Sequence, residues 1–447
     1  MSKISLEESK KIIDKVSNSF CAAKWYNVSI WLGNGRTASC HHPLAHPIPK
    51  AELAKNKTAL HNTDFKKKVR KEMLEGKRPP ECSYCWVAED AAKKDGTGVF
   101  SDRVFQTARY TKSEIDAIKK MPWDKNVNPK TVEICFDNLC NLACSYCNSE
   151  FSSTWAKDVK KNGPYLNMKT DGGHAYSNDG SNAMPFGPKN EGNIYIDKFF
   201  EWFKELRHDL QEMRVSGGEP ARSPHFWKFL DMCENDTFDF AINSNLIMPE
   251  DRLNKLIKSA DKFKAMDIYT SAECLGKHQA FVRDGFDWDL WEKNLRTAYE
   301  SKAFRALHIM MTISVLSVFG VSDFLKKIIE FRKEYNDKKA FNMSVNILRF
   351  PSFQSINMLH SDIKRKLAQE LEDTINENSD WMQGHEINNF KRLVIYLRKV
   401  DVSYEDSDAY DKKQNDLKNF LEQYAIRREK PIKEYMPENF VNWYEQI

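Results

Sequence analysis

The sequence lacks the features that mark membrane, secreted or strongly charged proteins. No apolar run approaches the roughly 20 residues of a membrane-spanning helix, and the N-terminus has no apolar signal core. The formal net charge is only +4 in 447 residues, which argues against a nucleic-acid binder or a membrane-surface protein. We find no repeat of fixed period and no long low-complexity tract. These absences predict a cytoplasmic protein of two or three ordinary domains.

What the sequence does contain is ten cysteines, most of which fall into two groups. Four lie early in the chain, at Cys21, Cys40, Cys82 and Cys85, and four more lie between Cys135 and Cys147. In a chain without a secretion signal, such clustering indicates metal ligation in a reducing compartment rather than disulfide bonds.

The most informative group is Cys140, Cys144 and Cys147, a CxxxCxxC motif directly after a predicted strand at residues 131–137. A loop with this spacing wraps three thiolates around one face of a cubane iron–sulfur cluster and leaves one iron without a protein ligand. An open coordination position is where chemistry takes place at a metal. The alternatives are a zinc knuckle or three buried thiols.

The motif, its place after the first strand and Tyr146 before the last cysteine resemble the radical S-adenosylmethionine (radical SAM) superfamily. Downstream, Ser216-Gly217-Gly218-Glu219 follows another predicted strand. Its glycines let backbone approach a ligand closely, and Glu219 offers an acceptor for an ammonium group. This segment resembles the family motif that binds the methionine amino group of SAM. The resemblance implies further SAM contacts at positions that end or follow strands, namely Asn243, Ser271, Arg283 and Leu348.

From Thr131 onward, strands and helices alternate, which predicts an α/β fold. We expect a TIM-like partial (β/α)6 barrel of the radical SAM type over residues 126–350. An N-terminal cysteine-rich module (1–125) precedes it and a C-terminal helical segment (351–447) follows it. The cysteine motif, the Gly-Gly-Glu motif and Ser271 all follow strands, and active sites of such barrels lie at the carboxyl ends of the strands.

The N-terminal module carries its own set of four thiols. A predicted hairpin has Cys21 and Cys40 at its ends, and a predicted basic helix, residues 59–75, leads to a CxxC at Cys82 and Cys85. Four thiolates close a metal site completely, so this site leaves no position for SAM. The arrangement resembles the twitch type of auxiliary-cluster module, although such modules usually follow the barrel. The resemblance favours a second [4Fe-4S] cluster, with zinc as the alternative. The neighbouring His41 and His42 are candidate replacement ligands, but ordinary surface positions are the simpler interpretation.

The resemblance implies a function as well as a fold. In this family a [4Fe-4S] cluster cleaves SAM to methionine and a 5′-deoxyadenosyl radical, which abstracts hydrogen from a substrate. Auxiliary clusters often accompany peptide or protein substrates, so we expect a peptide or protein, with a small metabolite as the alternative. The electron donor is expected to be a flavodoxin or a ferredoxin. A non-catalytic metal-binding scaffold is the competing class, but it has no use for Gly217 to Glu219 or for Arg283.

Three further features complete the sequence predictions. The long loop at residues 162–193 is a candidate lid that touches substrate, or else a surface excursion. The basic stretch at residues 50–78 is predicted to be a solvated helix face, with a phosphate-contacting role as the alternative. Cys274, which follows the fourth predicted barrel strand, and Cys135 are candidates for a hydrogen donor or an extra ligand, and a small buried thiol is the alternative.

Overall fold

The computed structural model describes residues 4–96, 100–170, 176, 192–399, 402–405 and 407–447. Strands and helices alternate from Thr131 onward, as the sequence predicts. In chain order the described strands are β1 (Asn27–Trp31), β2 (Arg36–Ala38), β3 (His46–Pro47), β4 (Thr131–Cys135), β5 (Ala143–Cys144), β6 (Glu212–Ser216), β7 (Asp236–Asn243), β8 (Phe263–Thr270), β9 (Arg283–Asp284), β10 (Ala306–Ile313) and β11 (Asn342–Ile347).

The described α-helices fall before, between and after these strands. Those that precede β8 are α1 (Leu6–Asp14), α2 (Ala23–Tyr26), α3 (Lys50–Lys55), α4 (Asp64–Leu74), α5 (Ser83–Asp95), α6 (Asp102–Thr107), α7 (Lys112–Lys119), α8 (Ser153–Asn162), α9 (Ile194–Leu206), α10 (Pro224–Met232) and α11 (Glu250–Ser259). Those that follow β8 are α12 (Gly276–Val282), α13 (Trp288–Glu300), α14 (Val321–Glu334), α15 (Ser361–Asn378), α16 (Gly384–Arg398), α17 (Val402–Glu405), α18 (Asp408–Arg427), α19 (Ile432–Tyr435) and α20 (Glu438–Tyr444).

The chain divides into two compact units. The first comprises Met1–Asp137, Lys189–Val215 and Cys233–Phe240, and the second comprises Asn138–Pro188, Ser216–Met232 and Ala241–Ile447. Strands β6 and β7 therefore begin in the first unit and end in the second. The domain boundaries predicted near residues 125 and 350 stay a prediction.

In the first unit, the strands lie in the order β7-β6-β4-β1-β2-β3. The predicted hairpin is present, because β1 and β2 are antiparallel. On its other side β1 pairs in parallel with β4, from Asn27 opposite Thr131 to Trp31 opposite Cys135. The hairpin that carries the N-terminal cysteines is thus continuous with the first of the six predicted barrel strands, which the sequence pattern did not indicate.

One helix of the first unit begins later than predicted. The stretch from Ala59 forms the end of a 3-10 turn, and helix α4 starts only after Thr63. Thr63 is the N-cap because its backbone is extended and its hydroxyl accepts the Lys66 N–H at 3.2 Å. Gly76 then ends the helical segment in a left-handed conformation (φ +77°), as predicted.

The second unit contains the parallel strands β11-β10-β8 in that order and a short antiparallel pair, β5 with β9. Along β10, half-buried and buried side chains alternate, which is the period of two expected for a strand. Helices connect β8 to β10 and β10 to β11, as parallel pairing requires.

The C-terminal segment of the second unit is helical, as predicted. A fully buried ion pair joins Arg332 of α14 to Glu386 of α16 at 2.6 Å. In the tail, the Phe440 ring meets Phe319 edge-on at 5.5 Å, and Trp443 stacks on Phe319 at 6.3 Å. The tail therefore packs on the helical turn that follows β10.

The predicted α/β class is confirmed, and all six strands predicted between Thr131 and Leu348 are present. None of the described helices combines the length and the apolar character that crossing a bilayer takes.

Candidate active site

The CxxxCxxC cysteines lie in a loop of the second unit whose backbone is held at several points. Cys144 belongs to β5 and lies opposite Arg283 of β9. The Cys140 N–H donates to Ser153 Oγ at 3.1 Å, and the Cys147 N–H donates to the Cys144 carbonyl at 2.9 Å. All three thiols are half-buried. The loop therefore presents its sulfurs from a fixed turn.

The three thiols lie close enough to act on one another. Burial and then the charge of Cys144 raise the pKa of Cys140 to about 12. Burial and the charges of Cys144 and Cys140 raise the pKa of Cys147 well above its usual range. A bound metal ion is the positive charge that would convert such thiols to thiolates.

The Gly-Gly-Glu segment packs directly against the cysteine loop. A Cβ on Gly218 would lie 2.5 Å from the Leu139 carbonyl oxygen and 2.8 Å from that of Asn138. The Glu219 N–H also donates to the Leu139 carbonyl at 2.7 Å. Glycine is required at position 218 because two backbones meet there. The sequence predicted that the glycine backbone approaches a ligand closely. The structure shows that the backbone at Gly218 also approaches the loop that bears the cysteines.

Glu219 is buried, with 2% of its surface exposed, and it connects two of the predicted motifs. Its carboxylate accepts from the Ser244 hydroxyl at 2.9 Å, the Asn245 N–H at 2.6 Å and the Ala221 N–H at 3.1 Å. Burial raises the pKa of Glu219, and these donors act in the opposite direction. A carboxylate has about four acceptor positions, so one remains for a ligand ammonium.

Arg283 lies between a buried acid and the cysteine loop. Its guanidinium contacts the carboxylate of Glu273 at 2.9 to 3.1 Å through two nitrogens. Its Nη1 lies 3.8 Å from Cys144 Sγ, and its guanidinium lies over the Tyr146 ring at 5.3 Å. Burial lowers the pKa of Arg283, but the charges of Glu273, Tyr146 and Cys144 and the hydrogen bond to Glu273 together outweigh burial and raise it. The structure therefore holds the Arg283 side chain beside Cys144.

The other predicted SAM contacts lie at strand ends. Asn243 ends β7, and its buried Oδ1 has no hydrogen-bond partner among the described residues. Ser271 and Leu348 are half-buried and follow β8 and β11. An orphaned buried acceptor is rare in folded proteins, and Asn243 Oδ1 fits a donor supplied by a ligand.

Cys274 is fully buried. Its Sγ donates to the Ser317 carbonyl at 3.4 Å and lies 3.6 Å from His278 Nε2. Burial raises the pKa of the Cys274 thiol well above its usual range. The hydrogen-donor role of this residue stays a prediction.

The N-terminal cysteines lie in the first unit. Cys21, Cys82 and Cys85 share one buried cluster with Val69, Met73 and Trp86. Burial raises the pKa of Cys21, and the charges of Cys40, Cys82 and Cys85 raise it further, so all four sulfurs share one neighbourhood. Among the described residues of either unit, no three His, Cys, Asp or Glu side chains are grouped so as to hold a single metal ion.

His41 and His42 are exposed and pair with carboxylates. His42 Nε2 lies 3.3 Å from Asp102, and its ring stacks on Tyr84 at 3.6 Å. His41 Nε2 lies 3.6 Å from Glu133. These positions agree with the interpretation of ordinary surface histidines.

The prediction for the basic stretch is wrong at two residues. Lys66 and Arg70 are buried, although the stretch was expected to be a solvated helix face. They lie on the side of α4 that also carries buried Val69 and Met73. Tertiary packing, rather than charge pattern, decided which face of the helix is buried.

The chain was compared with known proteins. No protein-family model and no curated protein matches it. Among solved structures, anSMEcpe with bound AdoMet is 14% identical over 56% of this chain and 62% of that chain, with a TM-score of 0.31. Streptococcus suis SuiB bound to S-adenosylmethionine is 14% identical over 81% of this chain and 70% of that chain, with a TM-score of 0.33. SuiB bound to the precursor peptide SuiA is 14% identical over 80% of this chain and 70% of that chain, with a TM-score of 0.35.

Most of the loop at residues 162–193 lies outside the described residues. Within its described part, the Lys169 and Thr170 N–H groups donate to the carboxylate of Asp416 at 2.8 and 2.6 Å. Tyr176 is buried, and its hydroxyl donates to the Ser145 carbonyl at 2.8 Å. The lid hypothesis stays a prediction.

Several residues that support the cysteine loop were missed by the sequence analysis. Gln354 Nε2 donates to the Ser145 carbonyl at 2.9 Å, and the Tyr424 hydroxyl lies 2.9 Å from the Ala143 carbonyl. Glu273 was noticed only as an acid that follows Ser271. Gln354 and Tyr424 lie far along the chain and belong to no motif, so no signal in the sequence pointed to them.

Proposed function

We propose that the chain is a radical SAM enzyme. One observation carries the proposal: the CxxxCxxC loop, the Gly-Gly-Glu segment and Arg283 are in contact within one compact unit. Gly218 packs on the Leu139 backbone, and Arg283 lies opposite Cys144. These contacts are independent of the residue types and spacings from which the motifs were predicted.

In this proposal Cys140, Cys144 and Cys147 hold a [4Fe-4S] cluster and leave one iron open to SAM. When bound, the cluster supplies the electron that cleaves SAM. The buried Glu219 offers its remaining acceptor position to the ammonium group, and Asn243 Oδ1 accepts another donor of the ligand. Arg283, fixed by Glu273, keeps a positive charge beside Cys144.

The four N-terminal cysteines form a second, fully ligated site in this proposal. Cys21, Cys40, Cys82 and Cys85 hold an auxiliary [4Fe-4S] cluster that binds no SAM, because four thiolates leave no open position. All ten cysteines are free thiols, which suits a reducing compartment such as the cytoplasm.

We propose a peptide or protein as the substrate, since auxiliary clusters in the family the chain resembles often accompany such substrates. A small metabolite is the alternative. A flavodoxin or a ferredoxin is the proposed electron donor.

Anaerobic reconstitution with iron and sulfide, followed by SAM and dithionite, tests the proposal. We expect 5′-deoxyadenosine from the wild type and none from a variant with Ala at positions 140, 144 and 147. Cys233→Ala is the matched control, because Cys233 is buried in the first unit and belongs to neither cysteine group.

Cleavage that survives in the triple variant would show that the radical SAM proposal is wrong. A wild type that binds iron but never cleaves SAM would favour the non-catalytic scaffold instead.

A further inference from the structure

Three buried basic side chains of the first unit lie on α2 and α4, the helices that also carry Ala23, Val69 and Met73 of the buried cluster around Cys21, Cys82 and Cys85. Lys24, Lys66 and Arg70 expose 3%, 1% and 0% of their surface. Lys24 is paired with the carboxylate of Glu81. Lys66 Nζ instead contacts two neutral oxygens, Thr37 Oγ1 at 2.7 Å and the Ala38 carbonyl at 3.3 Å. Its ammonium therefore reaches the strand that leads to Cys40 without meeting a carboxylate in the described part of the chain.

Arg70 also lies among neutral partners. Its guanidinium donates to the Lys24 carbonyl at 2.9 Å and to Asn62 Oδ1 at 3.0 Å, and it lies 5.8 Å from the centre of the Trp25 ring. Among the described residues no carboxylate contacts it. Within the described part of the chain, therefore, Lys24 alone of these three buried cations contacts a carboxylate, that of the half-buried Glu81.

An uncompensated buried charge is costly and persists in proteins when an anion is present to balance it. The anions that could balance these charges are the thiolates of the four N-terminal cysteines. Burial alone lowers the pKa of Lys24, but the charges of Cys82 and Glu81 outweigh burial and raise it. Burial and then the charges of Arg70 and Lys24 lower the pKa of Lys66, and the charges of Glu81 and Cys40 act in the opposite direction.

We propose that Lys24, Lys66 and Arg70 are the built-in counter-charge of an anionic tetrathiolate metal centre at the four N-terminal cysteines. The inference rests on the second centre of the proposed function. Three cations and one carboxylate leave two positive charges, which balance the dianion that four thiolates form with a doubly charged metal core. Lys66 is the positioning residue in this arrangement, because its charge meets no carboxylate and it makes no contact with a cysteine.

The proposal predicts that one substitution has opposite effects in two states. In the metal-free protein, Lys66→Met removes a charge that nothing balances, so the unfolding temperature rises. In the loaded protein the same change removes part of the counter-charge. The centre is then held less tightly, and its reduction potential becomes more negative, because reduction adds a further negative charge.

The test uses full-length protein with Ala at positions 140, 144 and 147, so that iron binds only in the first unit. Into this background we place Lys66→Met and also Lys66→Gln, which removes the charge but keeps a hydrogen-bond donor. Lys68→Met is the matched control, because Lys68 lies on the same helix and is exposed. The measurements are iron per chain, thermal unfolding with and without reconstitution, and a redox titration followed by electron paramagnetic resonance.

We expect both Lys66 variants to lose iron to a chelator roughly tenfold faster than the control, as is usual when a group around a metal centre is removed. Their potentials should fall below that of the control, and their metal-free forms should unfold at higher temperature. If the background binds no metal, the second centre and the inference both fail. If it binds metal but potentials and iron loss match the control, only the inference fails. Variants that do not fold also contradict it, since it requires a more stable metal-free form.

Discussion

Arg283 and Glu273 show how much of the candidate site depends on single side chains. Both are buried and form a two-point ion pair at 2.9 to 3.1 Å. Removing one partner of such a pair costs about 3–5 kcal/mol, because the other charge stays buried without compensation. When Glu273 is the residue removed, the remaining charge is that of Arg283, whose Nη1 lies 3.8 Å from Cys144 Sγ. A shift of the guanidinium therefore changes the surroundings of the Cys144 sulfur.

Gly218 supports a prediction at the same scale. Gly218→Ala places a methyl group 2.5 Å from the Leu139 carbonyl oxygen, a contact that real side chains do not make. Because both sides of this contact are backbone, the cysteine loop must move. We expect the variant to fold but to retain less than half the iron that the wild type holds at Cys140, Cys144 and Cys147, measured in a background without the N-terminal cysteines.

Gly384→Ala is the matched control for this substitution. A Cβ at Gly384 meets nothing within 4 Å, and the residue is not in a left-handed conformation. Iron content in this control should equal that of the unmodified background. Equal iron in the Gly218 variant would contradict the close packing of the two motifs.

At the scale of elements, the C-terminal helix α18 supports the cysteine loop. Its Tyr424 is fully buried, and the hydroxyl lies 2.9 Å from the Ala143 carbonyl and 3.2 Å from the Phe281 carbonyl. Ala143 is in β5, and Phe281 lies two residues before β9. One hydroxyl from a distant helix thus lies between the two segments that pair beside Cys144.

Tyr424→Phe removes this hydroxyl and nothing else. A buried carbonyl that loses its donor costs about 1–3 kcal/mol, so we expect a loss of stability in that range. We also expect a change in the electron paramagnetic resonance signal of the cluster at Cys140, Cys144 and Cys147, because its loop is less constrained. Chemical unfolding and the spectrum of the reduced protein measure the two effects.

Tyr435→Phe serves as the comparison for that variant. Tyr435 is half-buried and stands near Phe281 at a ring distance of 6.4 Å, and its hydroxyl makes no hydrogen bond within the described residues. Stability and spectrum should stay at wild-type values in Tyr435→Phe. An unchanged spectrum in Tyr424→Phe would show that α18 does not shape the cluster site.

At the scale of the whole molecule, buried basic groups make stability depend on pH. His61 is fully buried, and burial, followed by the charges of Lys66 and Arg70, lowers its pKa well below the usual range. In the unfolded chain the pKa returns to about 6.5. Below about pH 6.5 only the unfolded state takes up this proton, so the stabilisation present above that pH is lost as the pH falls.

We expect the free energy of unfolding of the metal-free protein to fall between pH 7.5 and 5.5, with a slope of up to about 1.4 kcal/mol per pH unit from His61. His61→Gln should reduce the slope by that amount, whatever its effect on stability itself. Urea unfolding at several pH values measures this slope. His208→Gln, at an exposed position of the same unit, should leave the slope unchanged. An unaltered slope in His61→Gln would refute the linkage.

The sequence by itself determined the α/β class and the six strands. It also predicted the grouping of the cysteines and the residues of the candidate SAM site, and the roles of those residues stay predictions. These are local properties: a period of two in β10, a spacing of three and two residues between thiols, and glycines after β6. Each of these properties depends only on residues that are close in the sequence, so it can be predicted without the contacts between distant parts of the chain.

Only the tertiary structure decided which distant groups share these sites. Hairpin strand β1 pairs with β4, Glu273 neutralises Arg283, and Tyr424 reaches the cysteine loop. The structure also placed Lys66 and Arg70 in the interior, against the charge pattern of their helix. Burial and ion pairing depend on which surfaces meet after folding. The pattern of charges along a helix therefore does not specify which distant residue will become the partner of a given charge.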